Sequence, residues 1–166
     1  MQVPVPGETT KVLDDLIQAS LPDRRGVGAW RAFLRAHASI LRELAGDLAT
    51  STGLTLGDFD VLAQLAEAGG ELRMTDLASR AFSSRSAMTR RIDRLVDEGL
   101  VGRGSSDADA RGVVVELTEA GVRRLRETVP VHLRGVGRLF VDKLEPAELE
   151  TLQRLLERLA LDCSFG

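Results

Sequence analysis

The chain has 166 residues, of which 43% are hydrophobic and 28% are charged, and this composition is typical of a globular domain rather than of a disordered chain. No run approaches the ~18 apolar residues of a membrane span, and residues 1–7 lack the features of a signal peptide, so we expect a cytoplasmic protein with no membrane partner. The net charge of −3 is unfavourable for contact with DNA phosphates, so a DNA-binding surface requires a local concentration of basic residues.

The first third of the sequence is predicted to be helical. Residues 1–24 are expected to form an N-terminal extension with one short helix, because the apolar residues at 12–17 make a single helical stripe. Apolar residues recur at helical spacing from Trp30 onward, which predicts a long helix that ends near Thr50. His37 lies on this apolar stripe, so we expect a packed or interfacial histidine, with a ligand contact as the alternative.

Two short helices joined by a tight turn are predicted in the middle of the chain. Thr55 and Asp58 resemble a capping box at the start of a preceding helix. A short extended piece is predicted at residues 71–73, and Thr75 is then expected to cap a brief helix. Ser84 is expected to cap the second short helix, which runs as far as residue 98.

A hairpin and two long helices are predicted after this pair. Residues 102–112 form a polar segment between two runs of β-branched residues, which is typical of a hairpin with a long tip. Thr118 is predicted to open the next helix, in which we expect Pro130 to cause a kink. Pro146 begins a final helix, and its leucines between residues 149 and 159 form a stripe that one small chain cannot cover. We therefore expect a homodimer held by both chain ends.

The second short helix is predicted to enter the major groove of double-stranded DNA. Five arginines and one aspartate fall within residues 80–94, and apolar residues make up the opposite face of the helix. A solvated helix face would give a similar charge pattern and is the alternative. The side chains expected to contact bases or phosphates are Ser84, Arg85, Ser86, Thr89, Arg90 and Arg94, of which Arg94 is best placed for the backbone.

The hairpin tip supplies a second predicted DNA contact. Arg111 can enter the minor groove, where the potential is most negative and a weakly hydrated guanidinium is favoured. Asp109, two residues earlier, is expected to orient Arg111. The alternative is an ordinary surface turn, but the two preceding helices favour a DNA-binding region that spans Ser84 to Arg111.

This region resembles the MarR family of winged helix-turn-helix transcription regulators. The resemblance is carried by MTRRIDRLVDEGLV at residues 88–101, DAR at 109–111 and VELTEAG at 115–121, and it covers roughly residues 56–121. It implies a mostly α fold with a small β wing and an intertwined helical dimerisation region. It also implies that Arg111 is the wing arginine.

The resemblance implies a domain division and a function for the whole chain. The DNA-binding domain is expected at residues 53–118, and the dimerisation region at residues 25–52 and 119–162. The implied function is a repressor that binds a pseudo-palindromic operator as a homodimer. A small aromatic or anionic effector is expected to control it.

The resemblance also points to an effector pocket. In the urate-responsive branch of the family, an arginine, an aspartate and a tryptophan shape a pocket for an anionic ligand, and Arg91, Asp60 and Trp30 are the candidates here. His37 is a further candidate. The alternative is a structural Asp60–Arg91 ion pair with Trp30 as a core residue. In either case a buried Arg91 needs a partner.

Catalytic and metal chemistry find no support in the sequence. The only histidines are His37 and His132, too few for a zinc site of several ligands, and the only cysteine is Cys163, which we expect to be incidental. No nucleophile elbow or phosphate-binding glycine loop is present, so we expect no enzyme, no cofactor and no metal. An enzyme whose site assembles only on folding, and a winged helix that holds only protein partners, are the alternatives.

Overall fold

Helices dominate the computed structural model of the protein, and one small antiparallel sheet lies among them. The structure describes residues 6–21, 24–80, 85–105 and 113–162. The chain divides into two compact units, residues 1–42 and residues 43–166. The predicted fold class, mostly α with a small β wing, is confirmed.

Seven helices and three strands are present in the described part of the chain. The helices are α1 (Pro6–Ser20), α2 (Arg24–Thr52), α3 (Leu56–Glu67), α4 (Met74–Arg80), α5 (Arg85–Asp97), α6 (Glu119–Leu139) and α7 (Pro146–Asp162). The strands are β1 (Glu71–Arg73), β2 (Val101–Ser105) and β3 (Val113–Leu117), and a 3-10 turn at Val141–Lys143 links α6 to α7. Helix α6 continues through Pro130.

Three predicted boundaries were wrong. Helix α2 begins at Arg24 and not at Trp30, because helical backbone precedes the first residue of the apolar stripe. Thr75 lies inside α4, which begins at Met74, and so does not cap it. Strand β2 extends into the polar segment, since ladder pairing such as Gly104 with Val114 uses the main chain and needs no apolar side chain.

The core lies in the second unit and packs α3, α4 and α5 against the sheet. The strands are ordered β1-β3-β2, and both pairings are antiparallel. The completely buried apolar side chains are Leu48, Val61, Leu62, Leu65, Leu77, Met88, Ile92, Leu95 and Val115. This arrangement fixes the orientation of α5, because one of its faces contributes three of those side chains.

A tight junction joins α5, the hairpin and α6. Gly99 has a φ of 71°, in the left-handed region that glycine tolerates, and it ends α5 so that Leu100 can donate to the Leu95 carbonyl at 2.9 Å. The Thr118 hydroxyl donates to the Gly99 carbonyl at 2.8 Å and accepts from the amide of Gly121 at 3.0 Å. One threonine therefore caps α6 and holds it to the end of α5.

Candidate nucleic-acid interface

Helix α5 has one apolar and one polar face, as the sequence predicts for a recognition helix. Met88, Ile92 and Leu95 are completely buried against the core. The exposed side chains of the same helix include Ser86, Thr89, Arg90 and Arg94. Hydroxyl and guanidinium groups therefore point away from the core, where they can reach base edges or phosphates.

Several predicted contacts lie outside the described residues. Ser84, Asp109 and Arg111 belong to the segments that the structure does not describe, and so does Cys163. Arg85 begins α5, but its side chain is not described either. These roles remain predictions.

The sequence-predicted partner for Arg91 is corrected by the structure. Nε of Arg91 lies 3.4 Å from Oδ1 of Asp58, so the ion pair forms with Asp58 and not with Asp60. Nη2 of Arg94 donates a hydrogen bond to the same Oδ1. Residues three apart on a helix share a face, which allows one carboxylate of α3 to take both arginines of α5.

Gly57 makes room for this contact. A Cβ atom built at Gly57 would lie 2.8 Å from Nη1 of Arg91, closer than real side chains approach. The Arg91 guanidinium therefore rests on the first turn of α3. The sequence analysis identified Asp58 only as the capping-box partner of Thr55, a contact that the structure contains. It did not predict that Asp58 also contacts α5.

A second ion pair ties α5 to the wing. Nη2 of Arg103 on β2 donates to Oδ1 of Asp93 on α5, and both side chains are partly exposed. The pair links the helix to the strand that leads into the hairpin tip. The ion pair therefore holds β2 next to α5.

The described residues contain neither a metal-ligand cluster nor a membrane-spanning helix. Across residues 6–21, 24–80, 85–105 and 113–162, no three His, Cys, Asp or Glu side chains come together as a metal site would require. None of the helices in these ranges combines the length and hydropathy of a bilayer span.

Known proteins similar to this chain are transcription regulators. Residues 52–112 match the sequence profile of the MarR family. The chain is 30% identical over 113 residues to the HTH-type transcriptional repressor YetL of Bacillus subtilis, covering 66% of this chain and 68% of YetL. Among solved structures, the MarR family regulator AbsC of Streptomyces coelicolor is similar with a TM-score of 0.78 and 33% identity, covering 84% of this chain and 95% of AbsC.

The chain belongs to the MarR family. The family's members are transcription regulators and not enzymes. One of them, Sco3205 of Streptomyces coelicolor, was solved in complex with DNA, and the chain is similar to it with a TM-score of 0.78 and 29% identity, covering 83% of this chain and 87% of Sco3205.

Asp60 and His132 form a second polar cluster in this MarR family member. Burial raises the pKa of Asp60, while a hydrogen bond with Gln64 and the charge of Arg91 oppose the rise. Burial lowers the pKa of His132, and the nearby Asp60 charge opposes that change. The His132 ring packs against Phe59 with centroids 4.5 Å apart, and its Nδ1 is buried without a hydrogen-bond partner among the described residues.

The other candidate pocket residues belong to the first unit. Trp30 stacks on Phe33 with ring centroids 5.9 Å apart, and Phe33 stacks on His37 at 6.1 Å. Trp30 is 58% exposed in the single chain, and its assignment as a core or pocket residue stays a prediction. Three aromatic rings at successive helical turns give α2 an exposed aromatic stripe.

Proposed function

We propose that this MarR family member is a ligand-responsive repressor that binds a pseudo-palindromic operator as a homodimer. The observation that carries the proposal is the division of α5, with Met88, Ile92 and Leu95 inside and Arg90 outside. A helix held by one face against a core presents its other face as a rigid unit to the major groove.

Four exposed residues of α5 have a proposed role at the operator. Arg90 supports either bidentate recognition of guanine or a phosphate contact, and Ser86 and Thr89 suit bases or phosphates. Arg94 is assigned to the phosphate backbone. Ser84, Arg85, Arg111 and its supporting Asp109 are proposed as further DNA contacts.

Exposed apolar side chains support the homodimer. No described side chain of α7 is buried within the single chain, although the helix carries a leucine stripe. Leu155 is 40% exposed and Leu159 is 59% exposed, and Leu133 on α6 is also 59% exposed. Large apolar surfaces of this kind mark protein interfaces, and a second copy of the chain offers the same surface in return.

The effector is proposed to be a small aromatic or anionic molecule. Arg91 and His132 provide positive or polar groups beside Asp60, and the buried Nδ1 of His132 has no hydrogen-bond partner in the part of the chain that the structure describes. Trp30 and His37, the other two candidates from the sequence, remain predictions. Ligand sites commonly combine apolar walls with a few polar groups of this type.

DNA binding is tested by fluorescence anisotropy with an operator selected from a random duplex library. Arg90→Gln should weaken binding and flatten the dependence of log K on log salt by about one unit, because one phosphate or base contact is lost. Arg126→Gln replaces an exposed arginine of α6 and should leave binding unchanged. If Arg90→Gln binds as tightly as the unmodified protein, the alternative of a winged helix that holds only protein partners is favoured.

Effector binding is tested by thermal shift with urate, salicylate and xanthine. At least one anion should raise the unfolding temperature, because a ligand that binds only the native state stabilises it. The same anion should give a smaller shift in Arg91→Leu. No shift with any of the three, or an equal shift in the variant, would contradict the pocket.

A further inference from the structure

Asp58 is a buried carboxylate whose partners include two arginines of the recognition helix. Its side chain is only 4% exposed, and an anion removed from water in this way needs partners for both oxygens. Oδ2 accepts a hydrogen bond from the Thr55 hydroxyl at 2.6 Å, and Oδ1 accepts one from Nη2 of Arg94. Nε of Arg91 lies 3.4 Å from the same Oδ1. The carboxylate also lies in the first turn of α3, where the helix dipole favours an anion.

The two arginines differ in how much of each side chain is exposed to solvent. The Arg91 side chain is 28% exposed and rests on Gly57, whereas the Arg94 side chain is 49% exposed. Arg94 follows Arg90 by four residues, so both lie on the outward face of α5. Arg94 is therefore bound to a buried carboxylate on one side and open to solvent on the side that would meet DNA.

A phosphate oxygen and the Asp58 carboxylate are competing acceptors for one guanidinium. Both are anions that take charge-assisted hydrogen bonds from its N–H groups. An arginine that is already neutralised releases less free energy when it meets a phosphate, because its attraction to the DNA polyanion is partly cancelled. Phosphate contacts contribute affinity without sequence information, so weakening one of them favours discrimination between sequences.

We propose that Asp58 is a positioning residue that limits how strongly Arg94 binds the phosphate backbone. The proposal rests on the proposed DNA contact through α5 and adds to it an internal acceptor that competes with DNA. It assigns Asp58 to specificity: the carboxylate lowers affinity for unrelated DNA and so increases the preference for the operator. Its direct targets are Arg91 and Arg94, and it touches no base.

A double-mutant cycle on an unrelated duplex tests the proposal. Asp58→Asn keeps the size of the side chain and an oxygen for the Thr55 hydroxyl, but it removes the negative charge. It should bind the unrelated duplex several-fold more tightly at ~50 mM salt and steepen the salt dependence by up to about one unit. In an Arg94→Gln background, Asp58→Asn should have a clearly smaller effect on both quantities, because only Arg91, whose guanidinium rests on Gly57, still loses its partner.

The control separates this local effect from a general loss of negative charge. Asp76→Asn removes the same charge from an exposed position on α4, and it should leave the salt dependence unchanged. A purely structural role for Asp58 predicts the opposite pattern: lower thermal stability, with an unaltered salt dependence. Unchanged or weaker DNA binding by folded Asp58→Asn would overturn the proposal.

A second variant decides the matter if Asp58→Asn does not fold. Because Arg94 is partly neutralised by Asp58 and Arg90 is not held by it, Arg94→Gln should flatten the salt dependence clearly less than Arg90→Gln does. An equal reduction of the salt dependence in both variants would show that Asp58 does not weaken the phosphate contact of Arg94. If the unmodified protein binds no duplex at low salt, the proposed function fails as well, whereas normal binding with no effect of Asp58 removes only this inference.

Discussion

Two aspartates at the start of α3 show how strongly environment decides the role of a single residue. Asp58 is buried but well supplied with partners, since Thr55 and Arg94 both donate to it. Asp60, two residues later, is only partly buried, and desolvation dominates the effect of its neighbours on its pKa. The first carboxylate is positioned to hold α5, whereas burial raises the pKa of the second and suits it to respond to a ligand or a proton.

His132 should make the stability of the protein fall in mildly acidic solution. Burial lowers its pKa below the ordinary value of 6.5, so the unfolded chain takes up a proton more readily than the folded chain. Stability is unaffected above pH 6.5 and is lost as the pH falls from 6.5 through the folded pKa. The loss should stay below about 1 kcal/mol, because the ring is partly exposed and Asp60 opposes the shift.

Urea denaturation at fixed protein concentration checks this expectation. The free energy of unfolding of His132→Gln should fall less between pH 7 and pH 5 than that of the unmodified protein. This pH range spans the ordinary histidine pKa of about 6.5. His37→Gln makes the same replacement at the chain's other histidine and controls for the substitution itself. An identical pH dependence in His132→Gln would contradict the assignment.

Sequence reasoning identified the inward and outward faces of α5 but assigned Arg91 the wrong partner. The alternation of Met88 and Ile92 with arginines was enough to identify the inward face, because helical periodicity is a local property. The choice between Asp58 and Asp60 depends on how α3 packs against α5. This packing cannot be predicted from the spacing of residues within one helix. Gly57 lies beside this contact, and its missing side chain leaves room for the Arg91 guanidinium over the first turn of α3.

Among the elements, the junction at Thr118 connects the DNA-binding helix to the helix that follows the wing. The hydroxyl caps α6 through the Gly121 amide and reaches back to the carbonyl of Gly99. Gly121 is itself required, because a Cβ there would overlap the Leu100 carbonyl. The sequence predicted the cap from threonine before an acidic residue, but not the contact with the end of α5, which pairs residues far apart in the chain.

Thr118→Ala should destabilise the protein by about 1–2 kcal/mol, because it removes an N-cap and leaves a carbonyl of the junction without its donor. The measurement is the free energy of unfolding from denaturant titration. Thr118→Ser keeps the hydroxyl and should stay within about 0.5 kcal/mol of the unmodified protein. Equal stability of the alanine and serine variants would mean that the hydroxyl contributes nothing.

Element ends were predicted less well than element identities, for a physical reason. Helix α2 extends six residues before Trp30, and β2 reaches Ser105, in both cases through residues without an apolar pattern. Backbone hydrogen bonds continue a helix or a strand once it has started, whatever the side chains are. Periodicity therefore locates the buried part of an element and misses its polar extension.

At the scale of the whole molecule, the second unit contains a hydrophobic core, but the described part of α7 contributes no buried side chain to it. Phe140, Leu149, Leu152 and Leu156 border a hollow of about 360 Å³ along α7. None of the described side chains of that helix is buried in the single chain. The homodimer expected from the leucine stripe thus remains a prediction, and the exposed stripe is the physical reason to test it.

Leu155→Glu combined with Leu159→Glu should convert a dimer into a monomer, because two carboxylates replace leucines that are proposed to pack against a second copy. Operator affinity should then fall by a factor on the order of 10², since one recognition helix loses the gain from a linked partner. Light scattering gives the mass and anisotropy the affinity. Arg154→Glu changes the charge on the opposite side of α7 and should leave both unchanged. A double variant that remains dimeric and binds its operator normally would place the subunit interface elsewhere.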